Sequence, residues 1–101
     1  NIYPVQIEDF LRKHDAIKDV AVIGLPDKRL GEITGAIIEV KPGCTLTEED
    51  VNTFCHALPR YKRPHTIIFA DVPRNPTGKI EKPKLREMYG GKGLVAAQNQ
   101  G

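Results

Sequence analysis

Long apolar runs are missing from this chain. No stretch of about 18 apolar residues occurs, so no membrane-spanning helix is expected. The opening residues, Asn1-Ile2-Tyr3-Pro4-Val5, carry neither the basic patch nor the apolar stretch of a signal peptide. They also lack a starting Met, as a piece cut from a longer protein would. Cysteine is scarce: Cys44 and Cys55 are the only two. With no second pair and no C-x-x-C motif, metal-ligand spacing is absent. Two reduced thiols in a cytoplasmic protein are expected, with a single structural disulfide left open. A large excess of one charge is absent as well. The net charge of +2, from 15 basic and 13 acidic residues, is too weak to argue for nucleic acid. The basic residues do crowd between Arg60 and Arg86. That half could meet a phosphorylated ligand, or simply be a solvated surface.

What is present is ordinary globular material: 40% hydrophobic and 28% charged residues over 101 positions, enough for one compact domain and too few for two. Val5, Ile7, Phe10 and Leu11 recur at helical spacing, which predicts a helix from Pro4 to His14 with Pro4 in its first turn and a Glu8–Arg12 pair on its surface. Ile17 to Leu25 reads as a buried strand ending at a Pro26-Asp27 turn, and Gly31 to Val40 as a second strand. The short link makes them antiparallel. Thr47 is a good N-cap, with Asp50 three residues on, for a helix whose apolar stripe is Val51, Phe54, Cys55 and Leu58 and which Pro59 ends. Thr66 to Ala70 is a third strand, and Lys82 to Tyr89 a charged helix with Pro83 in its first turn. The residues from Gly90 read as a frayed tail. The order α-β-β-α-β-α predicts an α+β domain: a small mixed sheet of about three strands covered by about three helices, with one parallel pairing through a right-handed crossover.

The segment that carries chemistry is Pro73-Arg74-Asn75-Pro76-Thr77-Gly78-Lys79-Ile80. It is not a phosphate-binding P-loop, which needs Gly where Pro73 stands and Ser or Thr where Ile80 stands. Physically it is a stiff loop presenting a lysine. Pro73 and Pro76 restrict φ, and Gly78 permits backbone geometry closed to other residues. A lysine is a compact cation on a long stem, suited to oxygens that gain charge during a reaction. On the residues alone, an exposed turn lysine is the plainer account of the segment.

This segment resembles the C-terminal signature of the adenylate-forming (AMP-binding) superfamily, the acyl- and aryl-CoA synthetases, luciferases and peptide-synthetase adenylation domains. Asn1 to Glu8 is similar to the segment after the interdomain hinge of those enzymes. Ile23-Gly24-Leu25-Pro26-Asp27 followed by Gly31-Glu32 is similar to their strand–turn–strand unit, and Val40-Lys41-Pro42-Gly43 and Tyr61-Lys62-Arg63-Pro64 fit as well. The match runs in order over residues 1–89 and is most like an acid–CoA ligase, leaving 90–101 as a flexible tail.

The resemblance implies a lid domain, inactive alone, that works with an N-terminal domain in a two-step reaction. A carboxylic acid attacks the α-phosphate of ATP, in the presence of Mg²⁺, to give an acyl-adenylate. Coenzyme A then forms the thioester and releases AMP, the lid rotating between steps. Lys79 takes the place of the family's adenylation lysine, supported by Pro73, Arg74, Pro76, Thr77 and Gly78, and it is a candidate for reversible acylation. Tyr61 and Arg63 would lie near the CoA nucleotide, with His65 in a position that some relatives fill with a cation. The glycine pair expected before Asn1 is not in the chain. His14 and His56 have no acid or cysteine arranged for a metal or a triad, Cys55 reads as core, and Gly90-Gly91-Lys92-Gly93 reads as linker rather than an RNA-clamping loop. The expected cofactors are ATP, Mg²⁺ and coenzyme A in the complete enzyme, none held by this domain alone, with no metal, nucleic-acid or membrane partner of its own. A relative that passes its acyl group to a carrier protein is one alternative. A free-standing module binding RNA or a phosphorylated partner through its basic half is the other.

Overall fold

The computed structural model describes residues 4–89. Asn1 to Tyr3 and the expected tail lie outside the described residues. Helix α1 (Pro4–Leu11) leads into strands β1 (Ile17–Asp27) and β2 (Gly31–Val40). Helix α2 (Glu48–Phe54) follows, then two 3-10 turns (Cys55–Ala57 and Arg60–Lys62), strand β3 (Thr66–Phe69) and helix α3 (Lys82–Tyr89). The sheet order is β1-β2-β3. The β1–β2 pair is antiparallel, with Val22 opposite Ala36, and β2–β3 is parallel, with Gly35 opposite Thr66. The expected α+β order and mixed sheet are both present.

The near-continuous apolar run of β1 has a simple cause, for the strand is buried on both faces. Successive side chains alternate across a sheet. Val20 and Val22, with Ala36 and Ile38 of β2, join Ile7 and Leu11 of α1 and Val51 of α2 in one core cluster. Ala21, Ile23 and Leu25, with Ile37 of β2, join Val72 and Leu85 of α3 in a second cluster on the opposite face. The sheet is therefore a middle layer between α1 and α2 on one side and α3 on the other.

Boundaries differ from the sequence expectation in places. α1 stops at Leu11, and His14 follows it, half-buried, its Nδ1 accepting from the Ala16 amide at 3.1 Å. β1 runs on through Pro26 and Asp27, because Asp27 still pairs with Gly31, so the turn is Lys28–Leu30. The Asp27 carboxylate closes that turn by accepting from the Arg29 and Leu30 amides, and Gly31 takes a φ of 81° that suits glycine. The capping box of α2 forms as expected: Thr47 Oγ1 accepts from the Asp50 amide and Asp50 Oδ2 from the Thr47 amide, both at 3.0 Å.

The larger correction concerns Glu8. It forms no surface pair with Arg12 but turns inward, only 5% exposed. Its Oε2 accepts from the Val22 amide at 2.7 Å and pairs with Lys82 Nζ of α3 at 2.8 Å. Arg12 instead pairs with Asp9 and Asp19, and its Nη2 donates to the Val20 carbonyl at 3.3 Å. The outer edge of β1 offers unpaired backbone groups, and α1 meets two of them with charged side chains. A charge buried this deeply persists only with partners, and among the described residues no buried side-chain nitrogen or oxygen lacks one.

Both cysteines are free, Cys44 exposed and Cys55 buried. Burial pushes the Cys55 thiol up to about 11, against a smaller opposing pull from Arg63. The thiolate is the reactive form. One thiol, that of Cys44, is expected to react rapidly with a disulfide reagent at pH 8 in the native protein, and both in denaturant. Two fast native thiols would place Cys55 outside the core.

Candidate functional site

The segment between β3 and α3 folds on itself as a small hairpin. Arg74 and Ile80 form an antiparallel bridge across it. Inside, the Asn75 amide donates to the Lys79 carbonyl at 2.9 Å, and the Gly78 amide to the Asn75 carbonyl at 2.8 Å. Asn75 Oδ1 accepts three times: from the Thr77 amide at 3.1 Å, Thr77 Oγ1 at 2.7 Å and the Lys79 amide at 3.0 Å. Asn is suited to such local bonding. Gly78 has a φ of 88°, the left-handed geometry that glycine adopts without a steric penalty. At the base of the hairpin the Glu81 amide donates to the Pro73 carbonyl at 2.9 Å, tying the loop to the start of α3.

The hairpin is fastened to the sheet at two points. The Val72 amide donates to Glu39 Oε1 at 2.9 Å, and Glu39 Oε2 pairs with Lys18 at 3.0 Å. These bonds, the Val72 amide first, hold the Glu39 carboxyl below its ordinary range. Arg74 grips Asp19 with two parallel bonds, Nε to Oδ2 at 2.7 Å and Nη2 to Oδ1 at 2.9 Å, while Nη1 donates to the Gly78 carbonyl. Partial burial by itself would raise the Asp19 carboxyl. Hydrogen bonds from Arg74 and the Val20 amide, with the charges of Arg74 and Arg12, outweigh it and leave the group below its ordinary value.

Lys79 stands exposed on this braced turn. It lines a surface groove of about 720 Å³ together with Ile80, Pro83, Lys84, Glu87 and Met88. None of the ion pairs among the described residues engages it. The arrangement can present a solvated ammonium at a defined place. Of the expected supporting residues, Arg74, Thr77, Gly78 and Pro73 each make a bond that shapes the hairpin. Pro76 is exposed and contributes only its restricted φ.

The second expected group lies elsewhere. Tyr61 is exposed, with Lys62 Nζ 5.8 Å from its ring centroid. Arg63 is half-buried and donates from Nε to the Leu58 carbonyl at 2.9 Å and from Nη2 to the His56 carbonyl at 3.1 Å. Its guanidinium thus satisfies backbone acceptors at the end of the α2 segment, and Nη1 takes part in neither bond. The exposed His65 joins the sheet through its amide, which donates to the Thr34 carbonyl at 2.9 Å. Tyr61, Arg63 and His65 precede β3, beside Thr34. The lysine hairpin follows β3, beside Glu39. The two groups therefore belong to the segments that enter and leave β3 at its two ends.

The model of the AMP-binding enzyme C-terminal domain matches residues 6–79. The chain belongs to that family. A 3-[(3aS,4S,7aS)-7a-methyl-1,5-dioxo-octahydro-1H-inden-4-yl]propanoyl:CoA ligase of Rhodococcus jostii is 46% identical over 89 residues, 86% of this chain and 17% of that ligase. A long-chain-fatty-acid–CoA ligase, FadD13, of Mycobacterium tuberculosis is 46% identical over 91 residues, 88% of this chain and 18% of the ligase. Among solved structures, a Mycobacterium tuberculosis fatty acyl CoA synthetase superposes with a TM-score of 0.79 at 45% identity, covering 88% of this chain and 18% of that one. The chain thus spans less than a fifth of these AMP-binding relatives.

Two residues of the site escaped the sequence reading. Asn75 had a local signal, an amide side chain in a Pro- and Gly-rich loop. Asp19 had none, since it meets Arg74 from 55 positions away.

Asp19 has a depressed pKa, so the stability it contributes is present above its unfolded value of about 3.9 and is lost as pH falls through the lower folded value. Urea midpoints are expected to fall more steeply between pH 5 and pH 3 for the wild type than for Asp19→Asn. Parallel curves would show that the Arg74–Asp19 pair does not contribute.

Proposed function

We propose that this domain is the moving lid of an ATP-dependent acyl-CoA synthetase and that Lys79 is its catalytic residue for acyl-adenylate formation. The observation that carries this is a solvated lysine held at the tip of a braced hairpin, in a chain of the AMP-binding C-terminal family. In adenylate formation, negative charge moves among the substrate carboxylate, the α-phosphate of ATP and the departing pyrophosphate. An ammonium placed between carboxylate and phosphate aligns the reactants and stabilises that charge. The nucleotide and acid pockets, and with them the identity of the acid, belong to an N-terminal domain, without which this domain does not catalyse.

Among the described residues no group of three or more His, Cys, Asp or Glu could hold a metal ion. In this reading Mg²⁺ enters with ATP. Rotation of the lid brings the segment before β3 to the same pocket for the second step. There Tyr61 packs on the CoA adenine, and Arg63, through the Nη1 that its backbone bonds leave out, meets a CoA phosphate.

In the intact enzyme Lys79→Ala is expected to lower ATP–pyrophosphate exchange by about a hundred- to a thousandfold, the typical loss for one electrostatic transition-state contact. Thioester formation from preformed acyl-adenylate and CoA should stay near the wild-type rate. Equal loss in both half-reactions would make the loop merely structural, and no loss in either would return Lys79 to an ordinary surface residue.

Arg63→Ala is expected to raise the KM for CoA about tenfold, an Arg–phosphate contact of roughly 1–2 kcal/mol, with exchange unchanged. It should also lower the melting temperature, because the Leu58 and His56 carbonyls lose their donor. A lower melting temperature with unaltered CoA kinetics would leave Arg63 only its backbone role.

A further inference from the structure

We propose that Asp19 and Arg74 form a positioning clamp that sets the location of the Lys79 ammonium without touching substrate. This deepens the reading of Lys79 as the adenylation lysine and rests on it.

Lys79 has a long, flexible stem and an exposed head, so its reach is decided by where its backbone stands. That backbone is gripped by Asn75 on both its amide and its carbonyl. These bonds are internal to the hairpin and give it shape, not attitude. Attitude toward the sheet comes from the anchors on β1 and β2. Glu39 holds the start of the loop at Val72. Arg74 holds the arm, and its three donors face two ways: Nε and Nη2 on Asp19, Nη1 on the carbonyl of Gly78, the residue immediately before Lys79. One planar guanidinium thus spans from the strand to the turn. Lysine could supply the charge there but not the fork.

Asp19 is prepared for this task. The register of β1 shifts between Ile17 and Asp19, and a bulge of this kind re-aims a side chain. The residue inside the bulge, Lys18, pairs with Glu39, the other anchor. The Asp19 carboxylate also accepts from the Val20 amide at 2.9 Å and lies 3.6 Å from Arg12 of α1. Its side chain is 13% exposed, against 40% for Arg74. The carboxylate is held by groups other than Arg74 as well, and it links the first helix of the domain to the lysine hairpin. Misplacing a reacting group by about 1 Å can cost on the order of a hundredfold in rate, and a clamp acting through the carbonyl before Lys79 controls a displacement of that size.

The test uses the intact enzyme with Asp19→Asn, Arg74→Lys, Lys79→Ala and the double variant Asp19→Asn/Lys79→Ala. Asp19→Asn and Arg74→Lys should each lower kcat for ATP–pyrophosphate exchange about ten- to a hundredfold. KM for ATP and acid should not change, nor should thioester formation from preformed acyl-adenylate. Asp19→Glu should recover most of the exchange rate. In the Lys79→Ala background, Asp19→Asn should cost nothing further, because the clamp works only through that lysine; independent contributions would add. Additive losses, equal damage to both half-reactions, or wild-type exchange in Asp19→Asn while Lys79→Ala is crippled would each overturn the clamp and leave the reading of Lys79 standing. Wild-type exchange in Lys79→Ala would overturn both. If Asp19→Asn does not fold, Arg74→Lys, alone and combined with Lys79→Ala, carries the same comparison.

Discussion

The strand β1 must be buried on both faces and sealed along one edge, and the rest of the domain is arranged around that requirement. Its faces bury Val20 and Val22 on one side and Ala21, Ile23 and Leu25 on the other. Among the described residues only β2 pairs with it in the sheet. Its other edge is closed by side chains of α1, with Glu8 on the Val22 amide and Arg12 on the Val20 carbonyl. An acidic group so placed costs solvation, and the Lys82 ammonium of α3 offsets it. One carboxylate therefore joins the first helix, the edge strand and the last helix.

β1 and its neighbour β2 also carry the lysine hairpin. Asp19 and Glu39 face each other across the β1–β2 register and hold Arg74 and Val72. The polar anchors of the hairpin on the sheet are thus charged groups belonging to the two longest, most deeply buried strands. Such a base is rigid because its backbone is locked by pairing and its side chains are close-packed. A lysine on an unanchored loop would sample many positions. On this base the freedom is confined to its own stem.

The position of the two candidate groups on either side of β3 has a further consequence. An extended strand is entered by the chain at one end and left at the other. The segment before β3, with Tyr61 and Arg63, therefore cannot lie beside the segment after it, with Lys79. The two candidate groups are separated by the length of that strand, Thr66–Phe69.

Much of this was legible in the sequence, for reasons local to each segment. The α-β-β-α-β-α order follows from hydrophobic period and breakers. The second strand was placed from Gly31 to Val40, the third helix from Lys82 to Tyr89, and the capping box of Thr47 and Asp50 is an interaction between neighbours. The stiff, glycine-bearing turn before Lys79 is likewise written in Pro73, Pro76 and Gly78. What the tertiary structure alone decided are the long-range charge partners. Glu8 looks like any polar residue on an amphipathic helix, and only the packing of α1 against the edge of β1 turns it inward toward Val22 and Lys82. Asp19 looks like a polar break in a strand, and only the return of the chain 55 residues later brings Arg74 to it. Local pattern depends on backbone geometry repeated every few residues, whereas the pairing of charges depends on where distant segments are brought together, which no short window of sequence contains.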